Sequence, residues 1–417
     1  MNLTKVIYLS YDGMTDPLGQ SQVLPYLIGL SERGYEIFLV SCEKKERFNH
    51  RKQHIEHIIK DKAIHWHALT YHSKPPVIST LFDIRAMSKK VNEIIKHHQI
   101  SLLHCRSYIT ALIGLEMKHK KGIPFIFDMR GFWADERVDG KIWNLKNPVF
   151  KLIYQFFKQK EKAFVVESAH IISLTHRAKE EIIAWQLPVK KALEIAVIPC
   201  CADFNHFSLD KINDLVLQNW RQKVGLTAQD FVISYIGSLG TWYMLPEMID
   251  LIKTATEKIP HLKFLIITAD DQQIAMQAAE EKKLNATQII VIKAEREEVP
   301  YLIALSHFSM FFIKPAYSKM ASSPTKLAEI LGMGVPVLCN ANVGDVESIV
   351  LDGSAGVVIK SFNRESYQEG IDKILKMLPA KKQQIATYAQ KYASLEDGIN
   401  TYKLIYDKIS SNRHSIV

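Results

Sequence analysis

Residues 318–337 combine the residue types that bind a charged diphosphate. Lys319 and Lys326 lie on either side of a predicted helix start, and Glu329 follows one turn into that helix. A helix N-terminus offers free N–H groups and a partial positive charge, which together suit a phosphate. A cradle for a diphosphate with a carboxylate beside it predicts a nucleotide-sugar site. The alternative is a plain surface loop between a strand and a helix.

The elements that position these groups follow from the local pattern. A strand is predicted at 308–313, and the helix is predicted to begin with Ser323 as its N-cap and Pro324 in its first position. Gly334 ends the helix and Val335 begins the next strand. Apolar side chains at helical spacing support the helix between these limits, at Leu327, Ile330 and Leu331.

A second chemically rich loop, 128–137, follows a predicted strand at 124–128. Charged and aromatic side chains at the end of a strand are costly unless they are paired or used. We therefore predict catalytic roles for Asp128 and Arg130 and acceptor contacts for Trp133 and Glu136. The alternatives are a structural Asp–Arg network and a tryptophan that only packs.

Two glycine-containing loops also follow predicted strands. Gly13 and Gly19 follow the first strand, and the loop 237–243 follows a strand at 231–236. Small residues in such loops let backbone N–H groups approach a phosphate or a sugar. Neither loop is a G-x-G-x-x-G fingerprint, and any strand-to-helix turn favours glycine. The first loop is equally compatible with a plain turn.

Strands and helices alternate along the whole chain, which predicts α/β architecture with parallel sheets and helices on both faces. We expect two doubly wound Rossmann-like domains that face a cleft, with ligands beyond the carboxyl ends of the strands. The irregular stretch 199–223 is the predicted junction. Helices are predicted at 21–33 after a loop at 11–20, and at 245–258, 381–392 and 397–409. Strands are predicted at 5–10, 36–41, 102–105, 124–128, 171–174, 195–198, 231–236, 263–268, 288–292, 308–313, 335–339 and 356–359.

The totals narrow the class of protein. A length of 417 residues predicts about two to three domains, and 47% hydrophobic with 23% charged residues predicts a folded, soluble protein. No apolar run reaches the roughly 18 residues that cross a bilayer, and the start lacks the features of a signal peptide, so we expect a cytoplasmic location. The net charge of +9 favours an anionic partner. The five cysteines are an odd number and do not occur at the spacing of a paired motif. We therefore predict reduced, buried thiols at Cys42, Cys105, Cys200, Cys201 and Cys339.

The histidines and the lysines of the sequence lead to two further predictions. The 16 histidines lack acid or cysteine neighbours at zinc spacing, so we expect no metal. Residues 141–162 hold six lysines and one acid, Glu161, interleaved with aromatic side chains. A basic amphipathic helix from about 146 to 162 suits an anionic membrane surface, and the equal alternative is a core-facing helix with a solvated lysine face.

Several segments in order resemble the GT-B glycosyltransferases of family 4, a retaining group that uses nucleotide sugars. The family signature E-x-x-x-x-G-x-P-V is similar to the run from Glu329 through Gly334 to Pro336 and Val337. The family segment V-I-P-x-G-x-D at the domain junction is similar to residues 197–203. The strand upstream of it resembles residues 172–175. The similarity covers nearly the whole chain.

This resemblance implies a role for each part of the chain. Residues 1–203, with a C-terminal helix at about 395–417 that crosses back, would form the acceptor domain, and 204–394 the donor domain. Glu329 would bind the nucleotide ribose, while Gly237 with Ser238 would cover the phosphates. The loop with Gly19 would approach the donor and the acceptor. Backbone amides for the diphosphate and the sugar would come from Ser322, Ser323, Pro324 and Thr325.

The chain departs from the family pattern at three places. Ala321 replaces a glutamate that many members carry, so sugar recognition passes to backbone amides or Lys319. Ser238 stands where an arginine is common, and Trp242–Tyr243 where Lys-Gly is common. Positive charge for the leaving diphosphate would then come from Lys326 first, or from Lys319 or Arg130. The third departure lies at 128–130. The family often has a histidine near this position, but this chain has Asp-Met-Arg there, so a catalytic histidine cannot be assigned.

The resemblance implies transfer of a sugar from a nucleoside-diphosphate sugar to a hydroxyl acceptor, with retention of configuration and without a metal cofactor. The acceptor would be lipid-linked or a cell-surface polysaccharide or glycolipid precursor, met in the cytoplasm or peripherally on the inner face of the membrane. Two alternatives are a GT-B nucleotide-sugar epimerase and a non-catalytic anion-binding or nucleic-acid-binding protein. The charge is spread along the chain without an RNA-binding signature, so we expect no nucleic-acid partner.

Overall fold

A computed structural model of the chain describes residues 3–189 and 191–414. The described chain divides into two compact units. The first unit runs to Pro199 and resumes at Leu395, and the second unit is Cys200–Ser394. Residues 1–2 and 415–417, at the outer limits of the predicted acceptor domain, lie outside the described part.

A parallel sheet forms the centre of the first unit. Its strands are β1 Thr4–Ser10, β2 Tyr35–Glu43, β3 Ile64–Thr70, β4 Leu102–Arg106, β5 Phe125–Asp128, β6 His170–Ser173 and β7 Ile195–Val197. In the described residues the order is β3-β2-β1-β4-β5-β6-β7, and every pairing is parallel. The order reverses between β1 and β4, as in doubly wound folds. The central strands are buried on both faces, which explains their nearly continuous apolar sequences.

Helices cover this sheet. They are α1 Pro17–Gln22, α2 Leu24–Ser31, α3 Lys45–Ile59, α4 Ile78–His97, α5 Ser107–Lys121, α6 Trp133–Asp139, α7 Pro148–Glu167 and α8 His176–Ala184.

A second parallel sheet forms the centre of the second unit. Its strands are β8 Phe231–Ile236, β9 Leu262–Ile267, β10 Ile289–Ile292, β11 Phe308–Phe311, β12 Val337–Asn340 and β13 Gly356–Ile359. Within the described residues the order is β10-β9-β8-β11-β12-β13. Its helices are α9 Asp214–Lys223, α10 Leu245–Thr256, α11 Gln272–Glu281, α12 Val299–Ala304, α13 Thr325–Gly332, α14 Val346–Asp352, α15 Arg364–Lys376 and α16 Lys382–Ala393.

The last described helix, α17 Leu395–His414, belongs to the first unit and packs against α2 and β4. Gly29 on α2 makes this contact close, because a Cβ there would lie 3.0 Å from Cγ1 of Ile399. The two Rossmann-like sheets confirm the predicted α/β class.

The predicted single helix at 21–33 was wrong. The loop after β1 ends at Asp16, and two helices follow that meet at Val23. Pro17 begins α1 early because its fixed φ suits the first turn of a helix. The basic helix also begins later than expected, at Pro148, where Asn147 caps it by accepting a hydrogen bond from the N–H of Val149 at 2.9 Å.

Candidate active site

Helix α13 begins in the second unit, directly after the loop from β11. The predicted N-cap was wrong by one residue: Pro324 is the N-cap, in extended backbone, and Thr325 is the first helical residue. The Ser323 hydroxyl instead accepts a hydrogen bond from the N–H of Cys200 at 3.1 Å. The N-cap residue accepts no hydrogen bond through its side chain, so the first N–H groups of the helix are not capped by that side chain. At the other end, Gly334 has a φ of 64°, which suits glycine at a helix end.

The side chain of Lys326 is buried beneath the glycine loop that follows β8. Its Nζ donates to the Tyr235 hydroxyl at 3.2 Å and lies 3.6 Å from the ring centroid of Tyr243. Burial holds the pKa of Lys326 well below its ordinary value, although Glu329 opposes this. An ammonium group in this position lacks most of its hydration, and a bound anion would restore the lost stabilisation.

Lys319 approaches the same loop from a short 3-10 helix, Tyr317–Ala321. It is buried, and its Nζ lies 3.6 Å from the ring centroid of Trp242. Its carbonyl accepts a hydrogen bond from the N–H of Gly344 at 2.8 Å. The two lysines therefore contact the two aromatic residues that stand where the family often has Lys-Gly. Cation–π contacts of this kind hold positive charge without neutralising it.

The glycine loop itself is fixed by backbone contacts. Gly237 has a φ of 132°, a conformation that favours glycine, and its N–H donates to the carbonyl of Ile267 at 3.0 Å. The N–H of Leu239 donates to the Asp270 carboxylate at 2.6 Å, and the Tyr235 hydroxyl donates to the carbonyl of Ser238. These bonds position Gly237 and Ser238 above Lys326.

Glu329 lies one turn into α13 and is nearly buried, with a side-chain exposure of 13%. Burial raises the pKa of Glu329 to about 7, against the opposing charges of Arg296 and Lys326. Arg296 Nη1 lies 3.6 Å from the carboxylate. Sequence analysis missed Arg296, which stands in a charged loop after β10 and belongs to no motif. Its position after a strand was the one available signal.

In the first unit, the loop with Gly13 and Gly19 is held by a buried carboxylate. Glu43 accepts hydrogen bonds from the N–H groups of Met14 at 2.7 Å and Thr15 at 3.1 Å. Gly19 lies inside α1 and packs against Gly13 so closely that a Cβ would lie 2.6 Å from Cα of Met14. Glycine at position 19 thus allows the backbone of α1 to lie directly against the backbone at Gly13 and Met14.

Asp128 is fully buried at the end of β5. His104 Nε2 and the Tyr402 hydroxyl each lie 3.3 Å from its Oδ2, and Arg130 Nη1 lies 3.9 Å from its Oδ1. Burial raises the pKa of Asp128, but Arg130 and His104 outweigh it and the net shift is downward. Burial lowers the pKa of His104, which favours the neutral form of its ring. Its Nε2–H then donates to Asp128, and Nδ1 accepts from the Tyr406 hydroxyl at 2.7 Å.

Sequence analysis also missed Arg106, the last residue of β4 and the parallel neighbour of Asp128. Its side chain is buried, and among the described residues its Nε and Nη1 have no hydrogen-bond partner. Nε lies 3.6 Å from the Asp12 carboxylate. The predicted strand ended one residue earlier, at Cys105, so the arginine was not recognised as part of the sheet edge.

The two predicted acceptor residues lie on α6. Trp133 packs against Trp143 and Phe157, with ring centroids 5.3 Å and 4.9 Å away, and Arg137 lies over its ring. Glu136 is partly buried in the same helix. The structure thus places Lys319, Lys326, Glu329 and the Gly237 loop together in the second unit, with Ser322–Thr325 at the start of α13. The other predicted residues lie in the first unit: Gly19, Asp128, Arg130, Trp133 and Glu136.

Comparisons with known proteins bear on both units. The family model described as "Glycosyltransferase Family 4" matches residues 23–206, and that described as "Glycosyl transferases group 1" matches 217–392. No curated protein matched the chain.

Solved structures match over nearly the full length. Sucrose-phosphate synthase from Thermosynechococcus elongatus gives a TM-score of 0.73 at 13% identity, covering 98% of this chain and 100% of that one. Anabaena HepE, in complex with UDP and glucose, gives 0.65 at 15% identity, covering 99% and 100%. WaaG, a glycosyltransferase involved in lipopolysaccharide biosynthesis, gives 0.65 at 15% identity, covering 97% and 99%.

The two family models and the fold define a glycosyltransferase of the GT-B class. The chain is a family 4-like member of that class. The predicted family and enzyme type are therefore confirmed.

Residues 3–189 and 191–414 contain no group of three or more His, Cys, Asp or Glu side chains placed to hold a metal ion. None of the helices described above is both long and apolar enough to pass through a bilayer.

Proposed function

We propose that this glycosyltransferase takes its sugar from a nucleoside-diphosphate sugar bound by the second unit. The observation that carries the proposal is the convergence of Lys326 and Lys319 on the loop 237–243, next to the start of α13. Two ammonium groups, a helix N-terminus and a glycine loop together bind a diphosphate. Glu329, one turn away, accepts hydrogen bonds from the ribose hydroxyls. HepE, with its bound UDP and glucose, supports this assignment on the same fold.

The chemical step breaks the bond between the anomeric carbon and the diphosphate oxygen while the acceptor oxygen bonds to that carbon. The electron pair of the broken bond goes to the diphosphate, and the acceptor proton leaves with it or with a nearby base. Negative charge grows on the leaving group, where Lys326 and the backbone N–H groups of Ser323, Thr325 and Ser238 stabilise it. Hydrogen-bond donors that already point to the place where charge develops lower the barrier of the reaction by several kcal/mol. We propose retention of configuration on the strength of the family.

We assign acceptor binding to the first unit, through the edge of the sheet that carries Arg130, Arg106 and the Gly19 loop. Asp128 is buried, so we assign it the positioning of Arg130 through their charge pair. Trp133 and Glu136 border this region on α6.

We further propose that the acceptor is lipid-linked and met at an anionic membrane surface. Helix α7 and the loop before it expose Lys141, Lys146 and Lys151 beside exposed Leu152 and Phe156. Basic and apolar side chains together bind a charged interface. WaaG, which acts in lipopolysaccharide biosynthesis, supports this acceptor class.

A thermal-shift screen against nucleoside diphosphates and their sugars tests the donor assignment. A ligand at about 100 times its Kd adds about 2.7 kcal/mol to the free energy of unfolding, which is easily seen. We expect the melting temperature of the native protein to rise with one nucleotide sugar, and that of Glu329→Ala to stay unchanged. No rise with any nucleotide would contradict the donor site, and product formed from the donor alone would indicate the epimerase. Sedimentation with anionic vesicles at low salt tests the membrane contact, and no binding would remove it.

A further inference from the structure

We propose that an apolar cavity in the first unit binds the hydrocarbon tail of an anionic, lipid-linked acceptor. This inference rests on the acceptor class proposed above and makes it more specific. It separates insertion of one lipid chain into the protein from adsorption of the protein on a bilayer.

The cavity has a volume of about 640 Å³ and lies between α4, α5, α6 and α7. A volume of this size holds a ligand of drug-like dimensions. Its walls are mostly aliphatic and aromatic side chains, among them Leu81, Ile84, Leu112, Trp143, Ile153 and Phe157. Such walls offer few hydrogen bonds, so a hydrocarbon fits them better than a sugar or a peptide backbone.

The mouth of the cavity continues onto an exposed apolar surface. Leu152 on α7 is 66% exposed and Leu81 on α4 is 50% exposed, and both line the cavity. Ile142 and Phe156 add to the same surface. Contiguous exposed apolar patches are uncommon on soluble proteins unless they bind something. A lipid tail that enters from a bilayer would cross this surface first.

Charge complementarity selects an anionic lipid. Arg137 lines the cavity, with its guanidinium 5.1 Å from the ring centroid of Trp133. Lys141, Lys146 and Lys151 are exposed in the segment that forms one wall. The wall residue Trp133 and the predicted acceptor residue Glu136 share α6, so the cavity adjoins the helix to which acceptor contacts are assigned. The occupant is therefore a hydrocarbon chain with an anionic head group, for which an alkyl phosphate is a suitable probe.

Calorimetric titration with butyl, octyl and dodecyl phosphate, each below its critical micelle concentration, tests the proposal. We expect one site per chain and an affinity that rises about fourfold for each methylene buried, until the cavity is full. The substitution Ile84→Trp fills the cavity from α4 and should weaken octyl phosphate binding by about 100-fold, because several methylenes lose their place. Ile183→Trp, at an exposed position on α8, is the matched control and should bind as the native protein does.

A second arm tests the head group. Lys146→Gln with Lys151→Gln should weaken octyl phosphate more than octanol, because the alcohol carries no charge. An affinity independent of chain length, or equal binding by Ile84→Trp and the native protein, would overturn the proposal. Binding to anionic vesicles without binding to monomeric octyl phosphate would also overturn it in favour of surface adsorption. The nucleotide response that depends on Glu329 is measured separately, so failure of the donor site gives a different result.

Discussion

The side chain of Lys326 fills the space beside Gly237 that any larger residue would use for its Cβ. A Cβ built on Gly237 would lie 3.1 Å from Cε of Lys326 and would overlap Nζ. The glycine loop and the lysine of α13 thus depend on each other, although they are far apart in the sequence. This relationship explains how a chain with Ser238 in place of an arginine still brings positive charge to the loop.

Gly237→Ala should damage both folding and donor binding. The methyl group would displace the Lys326 ammonium, and the φ of 132° is strained for any residue except glycine. We expect the free energy of unfolding of the second unit to fall by roughly 1–3 kcal/mol, and the nucleotide-induced thermal shift to disappear. Gly240→Ala is the control, because a Cβ there meets nothing within 4 Å. Equal behaviour of the two variants would refute the interdependence.

Lys326→Met should stabilise the ligand-free protein and abolish its function. The pKa of Lys326 is lowered on folding, so the unfolded chain holds the extra proton between the lowered pKa and the ordinary 10.5. The free energy of unfolding of the native protein therefore rises with pH across that window, and the variant lacks this rise. At neutral pH we expect a higher melting temperature in the variant together with turnover reduced by about 100-fold or more. Lys253→Met, on the surface of α10, should change neither property. Normal turnover in Lys326→Met would remove the lysine from the mechanism.

Donor binding should depend on pH through Glu329. Burial raises the pKa of this carboxyl from 4.5 to about 7, so the free energy of unfolding falls as pH rises between these values. The ribose hydroxyls bind the charged form, and donor affinity should therefore increase as pH rises through about 7. In Glu329→Gln the affinity should be low and independent of pH. In Arg296→Met the midpoint of the rise in donor affinity with pH should move above 7, because Arg296 lowers the pKa of Glu329. Calorimetric titration of the donor across pH measures all three, and a flat native profile would contradict the assignment.

Tyr406→Phe should destabilise the first unit while leaving nucleotide binding intact. The tyrosine hydroxyl donates to Nδ1 of buried His104 at 2.7 Å, and its removal leaves that nitrogen without a donor. An unsatisfied buried polar group costs about 1–3 kcal/mol. Leu404→Ala changes an exposed residue of the same helix and should have little effect. Urea unfolding followed by circular dichroism measures the difference between the variants, and equal midpoints would show that the hydrogen bond is not needed.

The apolar strands of both sheets were largely predictable because burial on two faces leaves a continuous apolar run. The run at 231–236 became β8 without change. Strand β3 was missed because His65 and His67 interrupt its apolar pattern, and it lies at the edge of the sheet, where only Ile64 within it is buried. Edge strands carry mixed sequences since one side meets solvent.

The candidate site was predictable in its motifs but not in its pairings. Helix α13 and Glu329 followed from local spacing, whereas the Arg296–Glu329 pair joins segments that meet only in the folded chain. The burial of Lys326 was not predictable either, because lysine is normally exposed. The aromatic rings of Tyr235 and Tyr243 that surround it come from a different part of the second unit.

The insertion of the second unit into the first has a consequence for synthesis of the protein. His104 lies 302 positions before its partner Tyr406. The ribosome therefore synthesises all of Cys200–Ser394 before it makes α17, and at roughly 5–20 residues per second this takes on the order of ten seconds or more. During that interval the nascent second unit can begin to fold, while the face of α2 around Gly29 lacks the helix that packs on it in the folded chain. Helix α17, which is translated after the second unit, thus covers a sheet whose seven strands are all made before that unit.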